Sequence, residues 1–200
     1  MIEVEKKFIL DDKDKRRLTK DASFLNERAF TDIYYDTEFF SLTSNNKWLR
    51  SRDGKFELKI SLNDGISKLS EDQYDELEDE QKIREALNLP SNGNLANDLI
   101  KAEYFPFCTC RTTRRKYQKE SFIIDFDTVD FQDFTYDIAE IELMVNGKSE
   151  IEEAIEKIMA FAKEQELTIV PVRGKVVEYL KRVKPDHYQA LVDSGVVKSS

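Results

Sequence analysis

Short segments that alternate charged and apolar residues recur along this chain, and they restrict its possible folds more than any other feature. The first spans residues 1–8, where Glu3, Glu5 and Lys7 share one face of an extended strand and Ile2, Val4 and Phe8 share the other. The same period returns at Trp48, Arg50 and Arg52, and at Glu57 and Lys59 against Phe56, Leu58 and Ile60. It returns again at Asp125 and Asp127 against Ile124 and Phe126, and at Glu140 and Glu142 against Ile141 and Leu143. In a sandwich all these charged faces would point to bulk water. A closed barrel offers a second arrangement, with apolar faces outward beneath helices and charged faces lining a water-filled interior. Long charged residues repeated as E-x-E, R-x-R and D-x-D favour the barrel, because ordinary solvated strand faces mix in Thr, Ser and Gln. Clustered Arg and Lys in an interior require an anionic partner, and clustered carboxylates a cationic one. A phosphate chain together with a divalent metal satisfies both.

The remaining segments supply connections and cover. Residues 11–20 predict a short helix anchored by Leu18, and residues 30–35 a strand in which Tyr34 and Tyr35 point to opposite faces. Asp53 and Gly54, between residues 48–52 and 55–60, signal a hairpin turn. Residues 61–70 read as a connection, 73–77 as a strand, and 78–89 as a polar helix stopped by Pro90. A short helix is expected over 95–102, followed by strands over 109–117, 121–129 and 138–145. Ser149 and Glu152 suggest a capping box that opens an amphipathic helix, with Ile151, Ala154, Ile155, Ile158, Phe161 and Ala162 on one stripe. A short strand over 168–172 and helices over 175–183 and 186–194, the last capped by Gly195, complete the expectation. No linker or repeat divides the chain, so a single domain over residues 1–200 is expected.

Several functions are disfavoured. A net charge of −9 argues against nucleic-acid or membrane-surface binding driven by bulk charge, so any polyanion site must be local. Cys108 and Cys110 stand in a C-x-C pair with no second pair at zinc spacing, and a disulfide between them would be strained. No apolar run approaches membrane-spanning length and no leader is visible, which makes a reduced cytoplasmic setting the default. The glycine-loop nucleotide motifs and the hydrolase nucleophile elbow are absent. The sole histidine, His187, lies beside Pro185 and reads as a surface residue, which leaves the chemistry to carboxylates, lysines and metal. Trp48 has two readings, as a core residue at a strand end or as an indole face for an organic cation.

Glu3-x-Glu5-x-Lys7, followed in order by R-x-R, E-x-K, D-x-D and E-x-E, resembles the CYTH superfamily of triphosphate tunnel metalloenzymes. Within it, DIYYDT at 32–37, WLRSR at 48–52, DFDTVDF at 125–131, KVVEYL at 175–180 and PDHYQ at 185–189 are similar to the animal-type thiamine triphosphatases, over almost the whole chain. The resemblance implies an α+β fold, an eight-stranded antiparallel β-barrel forming a tunnel with a charged interior and helices packed outside. It implies hydrolysis of thiamine triphosphate to the diphosphate and phosphate with Mg²⁺, or Mn²⁺ in its place. It implies that Lys7, Arg50, Arg52, Lys59, Arg114 and Lys175 grip the triphosphate and that Glu3, Glu5, Asp125, Glu140 and Glu142 hold metal. Trp48 would stack on the thiamine moiety, and Tyr34 and Glu76 would tune the proton state of Lys59. Arg114 is preferred to Arg115 for its spacing to Tyr117, and Arg115 stays open. The expected partner is the small-molecule substrate, with no nucleic acid and no membrane, and the chain is expected to be a monomer. Inorganic triphosphatase, another nucleotide-handling CYTH activity and a non-catalytic polyphosphate-binding module are the alternatives.

Overall fold

Alternation of period two produces eight strands here, and the helices cover their apolar faces. The structure, a computed structural model, describes residues 2–62 and 72–198. Residue 1 of the expected first strand, and residues 63–70 of the expected connection, lie outside the described residues. The strands are β1 (Ile2–Phe8), β2 (Ser23–Asp36), β3 (Lys47–Arg52), β4 (Lys55–Ser61), β5 (Asp72–Leu77), β6 (Phe105–Lys119), β7 (Phe122–Asp130) and β8 (Thr135–Val145). The helices are α1 (Asp12–Thr19), α2 (Glu80–Ala86), α3 (Leu95–Lys101), α4 (Ile151–Glu164), α5 (Lys175–Val183) and α6 (Pro185–Asp193). Hydrogen bonding runs in the order β1-β5-β4-β3-β2-β6-β7-β8 and returns from β8 to β1, which is the eight-stranded antiparallel ring that the resemblance implies. Among the described residues, no helix is long and apolar enough to cross a membrane.

The chain forms two compact units. The first gathers Met1–Ala29, Leu62–Tyr74 and Arg111–Lys175. Its core unites Val4 and Phe8 of β1, Phe122 and Ile124 of β7, and Ala139, Ile141 and Val145 of β8 with the stripe of α4, namely Ile151, Ala154, Ile155, Ile158, Phe161 and Ala162. The rings of Phe122 and Phe161 stack with centroids 4.3 Å apart. Leu18 joins this core from α1, whose N-terminus is held by a reciprocal pair: Asp11 accepts from the Asp14 backbone N–H at 2.8 Å, and Asp14 accepts from that of Asp11 at 3.3 Å. Each such large apolar side chain contributes roughly 1.5–3 kcal/mol by leaving water, so α4 is the main clamp on this half of the sheet.

The second unit gathers Phe30–Ser61, Asp75–Cys110 and Val176–Ser200. Leu49 of β3 and Leu58 of β4 pack with Ile83 and Leu87 at α2 and Leu95 and Leu99 of α3. Asp53 and Gly54 both take positive φ, 47° and 88°, which is the backbone of the two-residue hairpin turn expected there.

Three sequence expectations need correction. The capping box at Ser149 does not form: residues Lys148–Glu150 make a 3₁₀ turn, Glu150 is the N-cap of α4, and no side chain caps it. Residues 168–172 are β-rich in composition yet form no strand, since Pro171 lacks a donor and every strand of the closed order already has two neighbours. His187 is buried, only 2% exposed. α6 presses it onto the 3₁₀ turn Thr43–Asn45, where Nε2 lies 2.7 Å from the Thr43 hydroxyl oxygen, and its ring stacks on Phe40 at 3.9 Å. Burial lowers the imidazole pKa from 6.5 to about 4, with Asp36 opposing the shift. Cys108 and Cys110 are buried.

Candidate active site

In the first unit, strand register collects charge on the face opposite α4. β1 and β8 set Glu5 against Glu142 and Lys7 against Glu140. β7 and β8 set Asp125 against Glu140, while β6 and β7 set Arg114 against Asp127 and Lys116 against Asp125. Carboxylates directly opposite one another, as Glu5 and Glu142 are, destabilise a sheet unless a cation intervenes. Arg114 intervenes in part. It lies 2.5 Å from Asp125, donates two 2.6 Å bonds to Asp127, and donates at 2.8 Å to Glu140. Burial works against its charge, and Asp127, Glu140 and Asp125 more than offset that, so its pKa is raised. Lys116 reaches Asp125 at 2.9 Å and Glu142 at 3.3 Å, and Lys7 reaches Glu5 at 2.5 Å. The Lys175 ammonium, at the start of α5, donates to the Thr112 hydroxyl at 3.2 Å. Arg115 faces the other way, largely exposed and paired with Glu27 at 2.6 Å, so Arg114 is the arginine on the charged face.

These cations do not neutralise the cluster. Burial first, then Glu3 and Asp125, push the Glu142 carboxyl up from 4.5 to about 9 against the pull of Lys116. Burial likewise raises Asp127, with Arg114 opposing. Glu3, Glu5 and Glu142 form one group with oxygens within 4.8 Å of one another, and Asp125, Glu140 and Glu142 form another. Asp125 is fully buried, and neither of its oxygens has a partner in hydrogen-bond geometry. An oxygen-only donor set in which Glu5, Asp125 and Glu142 are buried and Glu3 and Glu140 half-buried suits a hard divalent cation, so the residues present fit the metal that the resemblance implies.

The second unit carries a cationic face of its own. Pairing sets Tyr34 opposite Arg50, Asp32 opposite Arg52, Trp48 opposite Lys59 and Arg50 opposite Glu57, all on the face turned from α2 and α3. Arg52 forks onto the fully buried Asp32 at 2.8 and 3.1 Å and lies over the Phe30 ring at 4.0 Å. Arg50 donates to Glu57 at 2.7 Å; burial opposes its charge, and Tyr34, Asp32 and Glu57 raise its pKa despite that. Lys59 is ion-paired with Glu76. Burial would raise the Glu76 carboxyl, but Lys59, Arg50 and Arg52 bring it below the usual value. The Trp48 indole is 9% exposed, and its N–H donates to Asn46 Oδ1 at 2.9 Å.

Each expected site residue is therefore on a charged face or at its edge. Period counting also placed Glu57 and Asp127 on those faces without giving them a role, and missed Asp32 and Lys116. Lys116 stands two residues after Arg114, so the strand period itself was the signal.

Comparison with known proteins identifies the family. A CYTH domain is recognised over residues 1–168. The chain is 30% identical to human thiamine-triphosphatase over 214 aligned positions, covering 96% of this chain and 90% of the human protein, and the Macaca fascicularis thiamine-triphosphatase gives the same figures. A solved Pyrococcus horikoshii protein superposes with a TM-score of 0.66 at 21% identity, covering 90% of this chain and 99% of that one. A Hippeastrum protein for which a dominant triphosphatase activity is described superposes with a TM-score of 0.53 at 19% identity, covering 90% of this chain and 94% of that one. At those identities the solved structures carry the fold alone. The chain belongs to the CYTH family.

Proposed function

We propose that this protein hydrolyses the terminal phosphate of thiamine triphosphate, giving thiamine diphosphate and phosphate. The observation that carries the reading is the pair of carboxylate groups sharing the buried Glu142, set among the basic residues of the same face. Relatives that share the chain's length at 30% identity support the choice of substrate. Glu3, Glu5, Asp125, Glu140 and Glu142 would hold the cation, expected to be Mg²⁺ with Mn²⁺ as a substitute, in a protein expected to work in the cytoplasm. When bound, that cation supplies Lewis-acid charge at the phosphate oxygens.

The rest of the work falls to the side chains. Lys7, Arg50, Arg52, Lys59, Arg114 and Lys175 are assigned to the triphosphate, where they spread charge off the transferring phosphoryl group. Water attacks the terminal phosphorus in line, the bond to the bridging oxygen breaks, and the diphosphate leaves with its new negative charge against Lys59. Glu76, ion-paired with Lys59, and Tyr34 are assigned to tuning the proton state of Lys59 for that step. Trp48, at the end of the same strand face, is assigned to the thiazolium.

Phosphate release from thiamine triphosphate, tripolyphosphate and ATP, with and without Mg²⁺, tests the reading. Thiamine triphosphate should be preferred, and Trp48→Ala should lower its kcat/KM about tenfold, for about 1–2 kcal/mol of cation–π and stacking energy. Tripolyphosphate hydrolysis should change little. A parent enzyme that prefers tripolyphosphate or ATP would overturn the substrate assignment.

A further inference from the structure

We propose that Asn46 is a positioning residue: it fixes the plane of the Trp48 indole and thereby sets the preference for an organic over an inorganic triphosphate. The proposal rests on the reading of Trp48 given above. An indole has a single polar atom, its N–H, and here that atom donates to Asn46 Oδ1 at 2.9 Å. The acceptor is itself held on both sides. Asn46 adopts the left-handed conformation, φ 51° and ψ 41°, at the end of the 3₁₀ turn Thr43–Asn45. Its backbone N–H donates to the Thr43 carbonyl at 3.0 Å, and its carbonyl accepts from the Ser61 N–H at the end of β4 at 3.1 Å.

The turn is anchored in the same way. The buried Asp36 carboxylate accepts from the backbone N–H groups of Thr37 at 2.8 Å, Leu42 at 2.8 Å and Thr43 at 2.9 Å, and from the Thr43 hydroxyl at 2.7 Å. His187 closes on that hydroxyl from α6. Trp48 is thus tied to a rigid corner of the chain, and its ring cannot turn about its side-chain bonds without breaking the hydrogen bond from its N–H to Asn46. A fixed ring presents its face to a cation at no ordering cost, whereas a rotating one must be ordered on binding.

Glycine takes the left-handed conformation freely, so Asn46→Gly deletes the acceptor and keeps the corner. Trp48 is the sole tryptophan, so intrinsic fluorescence reads this ring directly. Specificity constants for thiamine triphosphate and tripolyphosphate should be measured on the parent, Asn46→Gly, Asn46→Asp, Trp48→Ala, Trp48→Phe and the Asn46→Gly/Trp48→Phe double variant. One hydrogen bond of ordinary net strength predicts that Asn46→Gly loses about three- to tenfold on thiamine triphosphate and nothing on tripolyphosphate. Asn46→Asp, which keeps an acceptor oxygen, should keep the preference. In the Trp48→Phe background, which has no N–H to donate, Asn46→Gly should add no further loss. The fluorescence spectrum should shift in Asn46→Gly and stay unshifted in Asn46→Asp. An equal fall on both substrates, or a full additional loss in the double variant, would reduce Asn46 to a structural residue and overturn the proposal. If Trp48→Ala abolishes the preference while Asn46→Gly retains it, this proposal fails alone; if Trp48→Ala retains it, the assignment of Trp48 fails and takes this one with it.

Discussion

Raising the pH from 6.5 to 8.5 should weaken the metal-free protein, chiefly through Glu142. Its carboxyl titrates near 4.5 in an unfolded chain and near 9 in the folded one, owing to burial and the nearby Glu3 and Asp125. Between those values the folded state holds a proton that the unfolded state has released. The stabilisation is complete below pH 4.5 and disappears as the pH rises through about 9. Within the window one proton is worth about 1.4 kcal/mol per pH unit, so two units remove about 2.7 kcal/mol. For a chain of this size that corresponds to a midpoint lower by about 5–11 °C. Starting at 6.5 limits the contribution of His187, which is half-protonated there in the unfolded chain and neutral in the folded one. The assay is urea unfolding in the presence of a chelator at constant ionic strength, on the parent and on Glu142→Gln. The variant has nothing to titrate at this position, so its slope should be shallower by about 1.4 kcal/mol per unit. Saturating Mg²⁺ should flatten the parent's slope as well, since a cation binds the ionised form and displaces the proton. Identical slopes for parent and variant would refute the assignment of a proton to this cluster.

Chelation should abolish phosphate release and Mg²⁺ should restore it; a metal-free protein turning over at the parent rate would remove the carboxylates from the mechanism. Arg52→Ala and Lys7→Ala should each lower kcat by about 10²–10³. Arg52→Ala should also cost about 3–5 kcal/mol of stability by stranding the buried Asp32, and adding Asp32→Asn should recover the melting temperature without the rate. In the Glu142→Gln background, which removes the opposing gain from that carboxyl, acidification from pH 6.5 to 4 should cost roughly 2–3 kcal/mol through His187, because the unfolded chain protonates this imidazole in that range and the folded one does not. A His187→Gln variant that still folds should lack this component in pH-dependent unfolding, and one that retains it would place the titration elsewhere.

The charged faces were legible because strand geometry is periodic: Glu3, Glu5 and Lys7 need only be counted to be placed together, and the same holds for Asp125 with Asp127 and for Arg50 with Arg52. The apolar stripe of α4 and the Asp53-Gly54 turn are local in the same sense. What counting along one strand could not supply was register. That Arg52 holds Asp32, that Arg50 holds Glu57 and that Lys116 sits against Asp125 follow from which residues face each other across a pair of strands. Arg114 is separated from Arg115 by the period, and its four carboxylate neighbours became visible only with β7 and β8 in place. His187 lay further out of reach, since its partners Asp36 and Thr43 come from a segment about 150 residues earlier. A histidine beside a proline carries no local sign of that burial.

In both units the strands that hold the hydrophobic core on one face hold the proposed chemistry on the other. An insertion or deletion of one residue within β1, β3, β4, β7 or β8 would exchange the two roles from that point on, sending Leu or Ile among the carboxylates and Glu or Arg beneath a helix. A change of two residues would keep each role on its own face. Length variation within these strands should therefore be tolerated, where it is tolerated at all, in steps of two, whereas connections such as that between α2 and α3 are free of this parity.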